Sequence, residues 1–273
     1  MIKTMLLAAA TLTLTAAQPA PSPAKVSLAR LDCGSIAVSN LDVFSDSYLY
    51  PGQSKTLTDS CYLIRHGDSV MIWDTGLSAA LVGQPGMTSG PFSMSMKQTL
   101  VAQLSRLGIK PADVNVVGIS HYHDDHTGQA AAFPGATLVM GRGDFEASKQ
   151  RPSAQKALAP WITGTSRVDA IAGDKDVFGD GRVVVLAMPG HTPGHQALLV
   201  RLASGAVLLT GDQYHFTEQV ANNGVPSFNT NRADTLASSD RFQAIARNLS
   251  AKVIIQHETN DIAKLPAFPK AAE

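Results

Sequence analysis

The sequence predicts an α+β protein in which a mixed sheet system carries helices on its outside. Three observations predict it. Short apolar runs recur and end at Gly, Pro or His; other stretches place their apolar residues at helical spacing; and the order is strands, helix, strand, helix, strands, helix, strand. Strict alternation would indicate a parallel βαβ ladder, whereas this order asks for sheets of mixed direction.

A first strand covers residues 27–31. Cys61-Tyr-Leu-Ile-Arg65, a Gly67-Asp68 turn and Val70-Met-Ile-Trp73 have the form of a β-hairpin, which Asp74-Thr-Gly76 ends. Met96, Leu100, Leu104 and Leu107 fall at helical spacing and Gly108 stops that helix. Strands follow at 114–119 and 136–140, and a second helix begins within 141–150. Three more strands, at 183–186, 197–200 and 206–209, are separated by Gly, Pro and His turns. Phe242, Ile245, Ala246 and Leu249 mark a late amphipathic helix, and 253–255 is a final strand. With no internal repeat and no divisive linker, residues 25–273 are expected to form one domain.

The start of the chain reads differently. Lys3 precedes an apolar run over residues 5–17 that is short for a membrane span and ends in small residues, the layout of a signal peptide at 1–17. Pro, Ala and Ser make 18–24 a flexible lead-in. Export across the inner membrane, to the periplasm, is the expectation, with no membrane segment in the mature form. In such an oxidising compartment Cys33 and Cys61 either pair or remain two small buried hydrophobes.

Composition excludes several partners. The chain has 22 Lys+Arg against 22 Asp+Glu, a formal net charge of +0, and only 16% charged residues. No basic excess exists to release counterions from nucleic acid or to hold an anionic membrane. A small molecule is the expected partner, and the oligomeric state stays open, a homodimer included. The eight histidines are the unusual feature, because of where they stand.

Directly after the strand at 114–119 comes Ser120-His-Tyr-His-Asp-Asp-His-Thr-Gly128. Imidazole and carboxylate together suit Zn²⁺ and related first-row ions. Period-two alternation aims His121 and His123 one way, and Asp125 with His126 another, which hints at two adjacent ions. Further candidates recur just past later strands: His191 in Pro189-Gly-His-Thr-Pro-Gly-His195, Asp212 after Thr210-Gly211, and His257 after Gln256. A carboxylate has two oxygens, so Asp212 suits a bridge between two ions. His66, in a hairpin turn, reads as structural; His195 reads as support for the site rather than a ligand; Asp74 reads as a hydrogen-bond partner for a ligating histidine.

These residues (His121-x-His123-x-Asp125-His126, Pro-Gly-His191, Gly-Asp212 and His257) resemble the metallo-β-lactamase superfamily over most of the chain. Cys61-Tyr-Leu-Ile, Trp73-Asp-Thr-Gly-Leu77, His195-Gln-Ala-Leu-Leu and Val225-Pro-Ser-Phe228 make it most similar to the N-acyl homoserine lactonases, the quorum-quenching enzymes. The resemblance implies a four-layer αββα sandwich with the site along one edge of two sheets. It implies two Zn²⁺, or other divalent first-row metals: His121, His123 and His191 on one, Asp125, His126 and His257 on the other, Asp212 between them. A metal-dependent hydrolase would then open a lactone by attack of a shared hydroxide, with Asp125 moving the proton to the leaving oxygen. Alternatives are a phosphotriesterase of the methyl parathion hydrolase kind, a glyoxalase-like thioesterase and, from another class, a non-catalytic metal or lactone binder.

One departure concerns the substrate. Where lactonases carry a Tyr three residues after the bridging Asp, this chain has His215, with Tyr214 one place earlier. Either His215 contacts substrate or Tyr214 reaches in from an irregular loop. Residues 81–96, with Met87, Phe92 and Met94, read as a lid over an acyl chain or as ordinary loop packing, with Trp161, Phe216 and Phe228 as candidate further wall.

Overall fold

The computed structural model describes residues 24–273 of the chain. The expected signal peptide, and all but the last residue of the lead-in, lie outside the described residues.

Thirteen strands form two sheets among the described residues: β1 (Val26–Val38), β2 (Lys55–His66), β3 (Ser69–Trp73), β4 (Met87–Ser89), β5 (Phe92–Ser95), β6 (Val116–Ile119), β7 (Thr137–Gly141), β8 (Val168–Ile171), β9 (Lys175–Asp176), β10 (Val183–Ala187), β11 (Gln196–Leu202), β12 (Gly205–Leu209) and β13 (Lys252–Ile254). The helices are α1 (Leu100–Ser105), α2 (Asp124–Thr127), α3 (Arg142–Ser148), α4 (Pro152–Ala157), α5 (Ala159–Ile162), α6 (Thr217–Asn222), α7 (Arg232–Asn248) and α8 (Thr259–Ile262). The first sheet has the order β4-β5-β1-β2-β3-β6-β7-β8, and the second β13-β12-β11-β10-β9.

Alternation along the strands explains the layering. Leu28, Tyr62, Ile64, Met71 and Trp73 of the first sheet meet Val183, Val185, Leu198, Val200 and Leu209 of the second in one buried cluster. Their sequence neighbours point the other way. Ala29, Leu31, Leu63, Ile72, Leu138 and Met140 pack against Leu100 and Leu104 of α1, Phe145 of α3 and Trp161 of α5. On the far side, Leu186, Ala197, Leu199 and Leu208 meet Phe242, Ile245 and Ala246 of α7. Helix, sheet, sheet, helix is the αββα sandwich.

Strand direction sets the place of the site. β10 and β12 both run antiparallel to β11, and β12 runs parallel to β13. These three strands therefore end at one edge of the second sheet, and the segments after them carry His191, Asp212 and His257. In the first sheet β6 runs parallel to β3 and β7 and delivers the His121 segment.

The cysteines are joined as Cys33–Cys61, with Cα atoms 5.8 Å apart on adjacent strands. Residues 81–96 are neither a free lid nor plain loop. They include the β4–β5 hairpin, whose β5 pairs with the end of β1. Trp161, a candidate pocket wall, instead lies in the core and donates to Ala136 O at 3.0 Å. α7 starts ten residues before the first apolar residue of its pattern: Asn231 caps it by accepting from the Asp234 N–H, and its first turns bury Thr235, Ser238 and Ser239.

Candidate metal centre

Turns, not side-chain preference, aim the ligands. Gly211 has φ 55°, and a Cβ there would meet His195 Nε2 at 2.6 Å, so glycine alone allows the turn that presents Asp212. His195 then accepts from the Asp212 N–H at 2.8 Å and bonds Met188 O through Nδ1 at 2.9 Å. That is a supporting role with both ring nitrogens occupied. His66 lies away from the cluster, stacked on Phe178 and 2.8 Å from Asp180.

The structure brings all seven expected ligand residues together. Ring nitrogens of His121, His123 and His191 form a triangle: His121 Nε2 to His123 Nδ1 is 2.9 Å, His191 Nε2 to His121 Nε2 3.2 Å, and His191 Nε2 to His123 Nδ1 3.1 Å. Asp125, His126 and His257 form a second group, with His126 Nε2 and His257 Nε2 3.3 Å apart. Asp212 divides its oxygens between them. Oδ1 lies 3.1 Å from His126 Nε2 and 3.0 Å from His257 Nε2, whereas Oδ2 lies 3.5 Å from His121 Nε2 and 3.3 Å from His191 Nε2.

The donor set fits divalent ions, because the outward ring nitrogens fix the tautomers. His126 Nδ1 faces the Asp74 carboxylate at 2.9 Å, His257 Nδ1 faces Thr58 O at 2.9 Å, and His191 Nδ1 faces Asn229 Oδ1 at 2.8 Å. Each of those partners only accepts, so each Nδ1 carries a proton and each Nε2 is left to face inward. In a neutral ring that Nε2 offers a lone pair, and such lone pairs beside the Asp212 carboxylate make a donor set that a divalent ion fits. Burial, with neighbouring imidazoles, holds His121 well below the usual histidine range; burial does the same for His191, and lowers His123 less. Burial also opposes charge on His126 and His257. There, however, the Asp212 carboxylate wins, holding His126 well above its ordinary value and His257 up to about 9. Burial works against the Asp212 charge as well, but His126, His215 and His257 keep its carboxyl well below the usual range. Metal ions entering the second group would displace protons.

Asp74 is the main support. Its Oδ1 accepts from the Ser120 N–H at 2.7 Å, and its Oδ2 takes both His126 Nδ1 and Gln256 Nε2 at 2.9 Å. It sits at φ 57°, which Asp tolerates better than most residues. Asp74→Asn keeps the shape but removes the charge opposite His126. Metal affinity of the second group is expected to fall about 10–100-fold, read by chelator competition.

His215 and Tyr214 part company. His215 Nε2 stands 3.0 Å from Asp212 Oδ2, and its backbone N–H donates to Gln219 Oε1 at 2.7 Å. Tyr214, in extended backbone one residue earlier, faces the opposite way. Its Oη accepts from Gln243 Nε2 at 3.0 Å and its ring packs on Phe242 of α7. Of the two candidates for substrate contact, His215 lines the cavity and Tyr214 does not, so the alternative in which Tyr214 reaches in from the loop is corrected. Asp125 extends into the same mouth, its Oδ2 3.8 Å from both His126 and His257 Nε2.

A cavity of about 440 Å³ opens over the cluster. Asp125, Asp212, His215 and His257 line its floor, and Ile36, Phe44, Leu57, Phe92, Met94 and Phe228 give an apolar flank. Phe216 stays fully buried behind Phe44. Sequence reasoning missed Asn229, Tyr122 and Arg151. Asn229 bonds His191 across 38 residues and Arg151 reaches Tyr122 across 29, so no local pattern announces either contact.

Residues 56–257 match the metallo-beta-lactamase superfamily. The N-acyl homoserine lactonase AttM of Azorhizobium caulinodans is 32% identical over 233 residues, covering 77% of this chain and 84% of that one. An N-acyl homoserine lactonase from a Bacillus species is 30% identical, covering 82% and 91%. A solved N-acyl homoserine lactone hydrolase, with the product N-hexanoyl-L-homoserine at its catalytic metal centre, superposes with a TM-score of 0.79. It is 25% identical and covers 92% of this chain and 100% of that one.

Proposed function

The chain belongs to the metallo-beta-lactamase superfamily, and from that premise we propose that it is a two-metal hydrolase opening the ring of N-acyl homoserine lactones. One observation carries the reading: the two oxygens of Asp212 are shared between two histidine groups under one cavity. His121, His123 and His191 would hold one divalent ion, Asp125, His126 and His257 the other, and Asp212 both. Zinc suits this set of imidazoles and carboxylates. Bound there, the ions would polarise an ester carbonyl and supply a nucleophile from water at neutral pH.

The chain's own residues do the rest. Asp125, part-exposed at the mouth, is placed to carry a proton to the departing ring oxygen. His215 keeps an imidazole edge beside Asp212, where an N–H can meet a substrate oxygen. Phe44 packs edge-on to His215 at 4.7 Å and continues into the apolar flank, which accepts the acyl chain and excludes water beside the ester. The names of the relatives support the substrate class. Export to the periplasm is part of the same proposal: the signal-peptide pattern and the Cys33–Cys61 disulfide both favour an oxidising compartment. Among the described residues no helix is long and apolar enough to cross a membrane.

The test is a turnover panel on zinc-loaded protein: N-hexanoyl homoserine lactone, a thioester, an organophosphate triester and a carbapenem. The lactone is expected to give the highest kcat/KM. Clear triester or thioester turnover with no lactone opening would overturn the assignment.

A further inference from the structure

The cavity has a second flank that the reading above leaves unused. Tyr122 lies between two of the ligand histidines, and Arg151 stands just before α4. In the first sheet, most of the apolar flank comes from β1, β2 and β5, on one side of β6; Tyr122 and Arg151 follow β6 and β7. Arg151 is the one Lys or Arg among the residues lining the cavity.

Its guanidinium is held in place. Cζ lies 4.0 Å from the Tyr122 ring centroid, and Nη2 donates to Tyr122 Oη at 2.9 Å. Tyr122 is itself fixed, its ring edge-on to His123 at 5.0 Å and its backbone N–H on Asp144 Oδ2 at 3.1 Å. The same Asp144 carboxylate is taken up by Thr192 Oγ1 and the Gly194 N–H, both at 2.6 Å. Among the described residues no carboxylate forms an ion pair with Arg151. A planar, stacked cation exposed at the cavity mouth, with further N–H groups and no ion pair, is a site for an acceptor oxygen. Asp124 and Asp125 line the same mouth and would repel a second anion, so a neutral carbonyl suits it better than a carboxylate.

We propose that Arg151, seated on Tyr122, determines specificity by donating to the amide carbonyl oxygen of an N-acyl lactone. The assignment rests on the lactone reading and names the group that reading leaves without a partner. An N-acyl lactone has an ester, a chain and an amide; the histidine cluster faces the ester and the apolar flank the chain, and Arg151 is the fixed charged donor left for the amide. Arg151 acts on binding, so its effect falls on KM more than on kcat.

The experiment compares metal-loaded wild type and Arg151→Met on two lactones, N-hexanoyl homoserine lactone and an alkyl γ-lactone that lacks the amide. The ratio of their kcat/KM values is expected to fall about tenfold or more in the variant, as for loss of one charge-assisted hydrogen bond. Arg151→Lys should recover part of it. Tyr122→Phe keeps the ring and removes the Oη acceptor, so a smaller fall of about threefold is expected, a weaker loss than that of a full charged bond. Calorimetry with the two ring-opened acids reads the same ratio without turnover. A ratio within about twofold of wild type in Arg151→Met, where one hydrogen bond predicts far more, overturns the proposal, as does a wild type that neither opens the amide-bearing lactone nor binds its ring-opened acid. Absence of lactone opening by wild type that still binds the amide-bearing acid defeats the lactone reading alone; the binding ratio then decides the role of Arg151.

Discussion

Asp212→Ala is expected to lower lactone kcat/KM by on the order of 10³-fold and to leave no more than one ion per chain by elemental analysis. The seven-residue set contains two carboxylates, and only Asp212 faces both histidine groups, through different oxygens. Without it, two dications would stand among imidazoles with Asp125 as the sole anion, and their repulsion would go unrelieved. The loss is also local in the fold. Alanine keeps the backbone N–H that His195 accepts and leaves the Gly211 turn intact, so a native circular dichroism spectrum should accompany the loss of metal. Asp212→Asn should retain the shape but offer one neutral oxygen, and fall between the two. Retention of both ions with full turnover in Asp212→Ala would sink the two-group assignment.

The seven residues that the structure gathers were legible because they stand in four short segments, each opening within a few residues of the end of an apolar strand. Membership of the superfamily and the αββα layering followed from the same residues. Other features depend on contacts that no short window contains. β8 is four half-buried residues and β9 is two, held by pairing rather than by their own pattern. α4 and α5 are short helices, each with a proline in the first turn, and lack a full apolar repeat. The first half of α7 buries Thr235, Ser238 and Ser239 because it lies against the Gly190 and Pro189 backbone, where small polar residues fit and Ser238 donates to Pro189 O at 2.7 Å. The choice between Tyr214 and His215 turned on one residue of strand phase after the Gly211 turn. An apolar aromatic looks the same in sequence whether it lines a cavity, as Phe228 does, or fills a core, as Trp161 does.

Removing the disulfide is expected to cost stability and to loosen the second metal group at the same time. Cys33 and Cys61 are 28 residues apart, and closing a loop of that length in the unfolded chain contributes about 3–4 kcal/mol by chain entropy. For a protein of this size Cys33→Ala/Cys61→Ala should therefore melt roughly 6–8 °C lower in calorimetry. The link to the site runs through the turn after β3. Gly76, at φ 65°, lies so close to the bridge that a Cβ on it would meet Cys33 Sγ at 2.6 Å, and the Leu77 N–H faces Cys33 O at 3.4 Å. On its other side the same turn grips the second group. The Thr75 N–H donates to His126 O at 2.7 Å, the Gly128 N–H donates to Gly76 O at 2.8 Å, and Asp74 holds the His126 ring at 2.9 Å. The Leu77 N–H also reaches Asp59 Oδ2 at 3.0 Å; burial pushes that carboxyl well above the usual range, with the Asp125 charge adding to it. A slack bridge therefore reaches His126 directly, through two backbone contacts and Asp74, whereas His121 meets the same turn only through Ser120 and His191 is held by Asn229. Stepwise chelation of the loaded double variant should release one ion faster than wild type does, with the other little changed. Equal acceleration of both ions would mean global softening, and a melting temperature within about 2 °C of wild type would deny the bridge its role in stability.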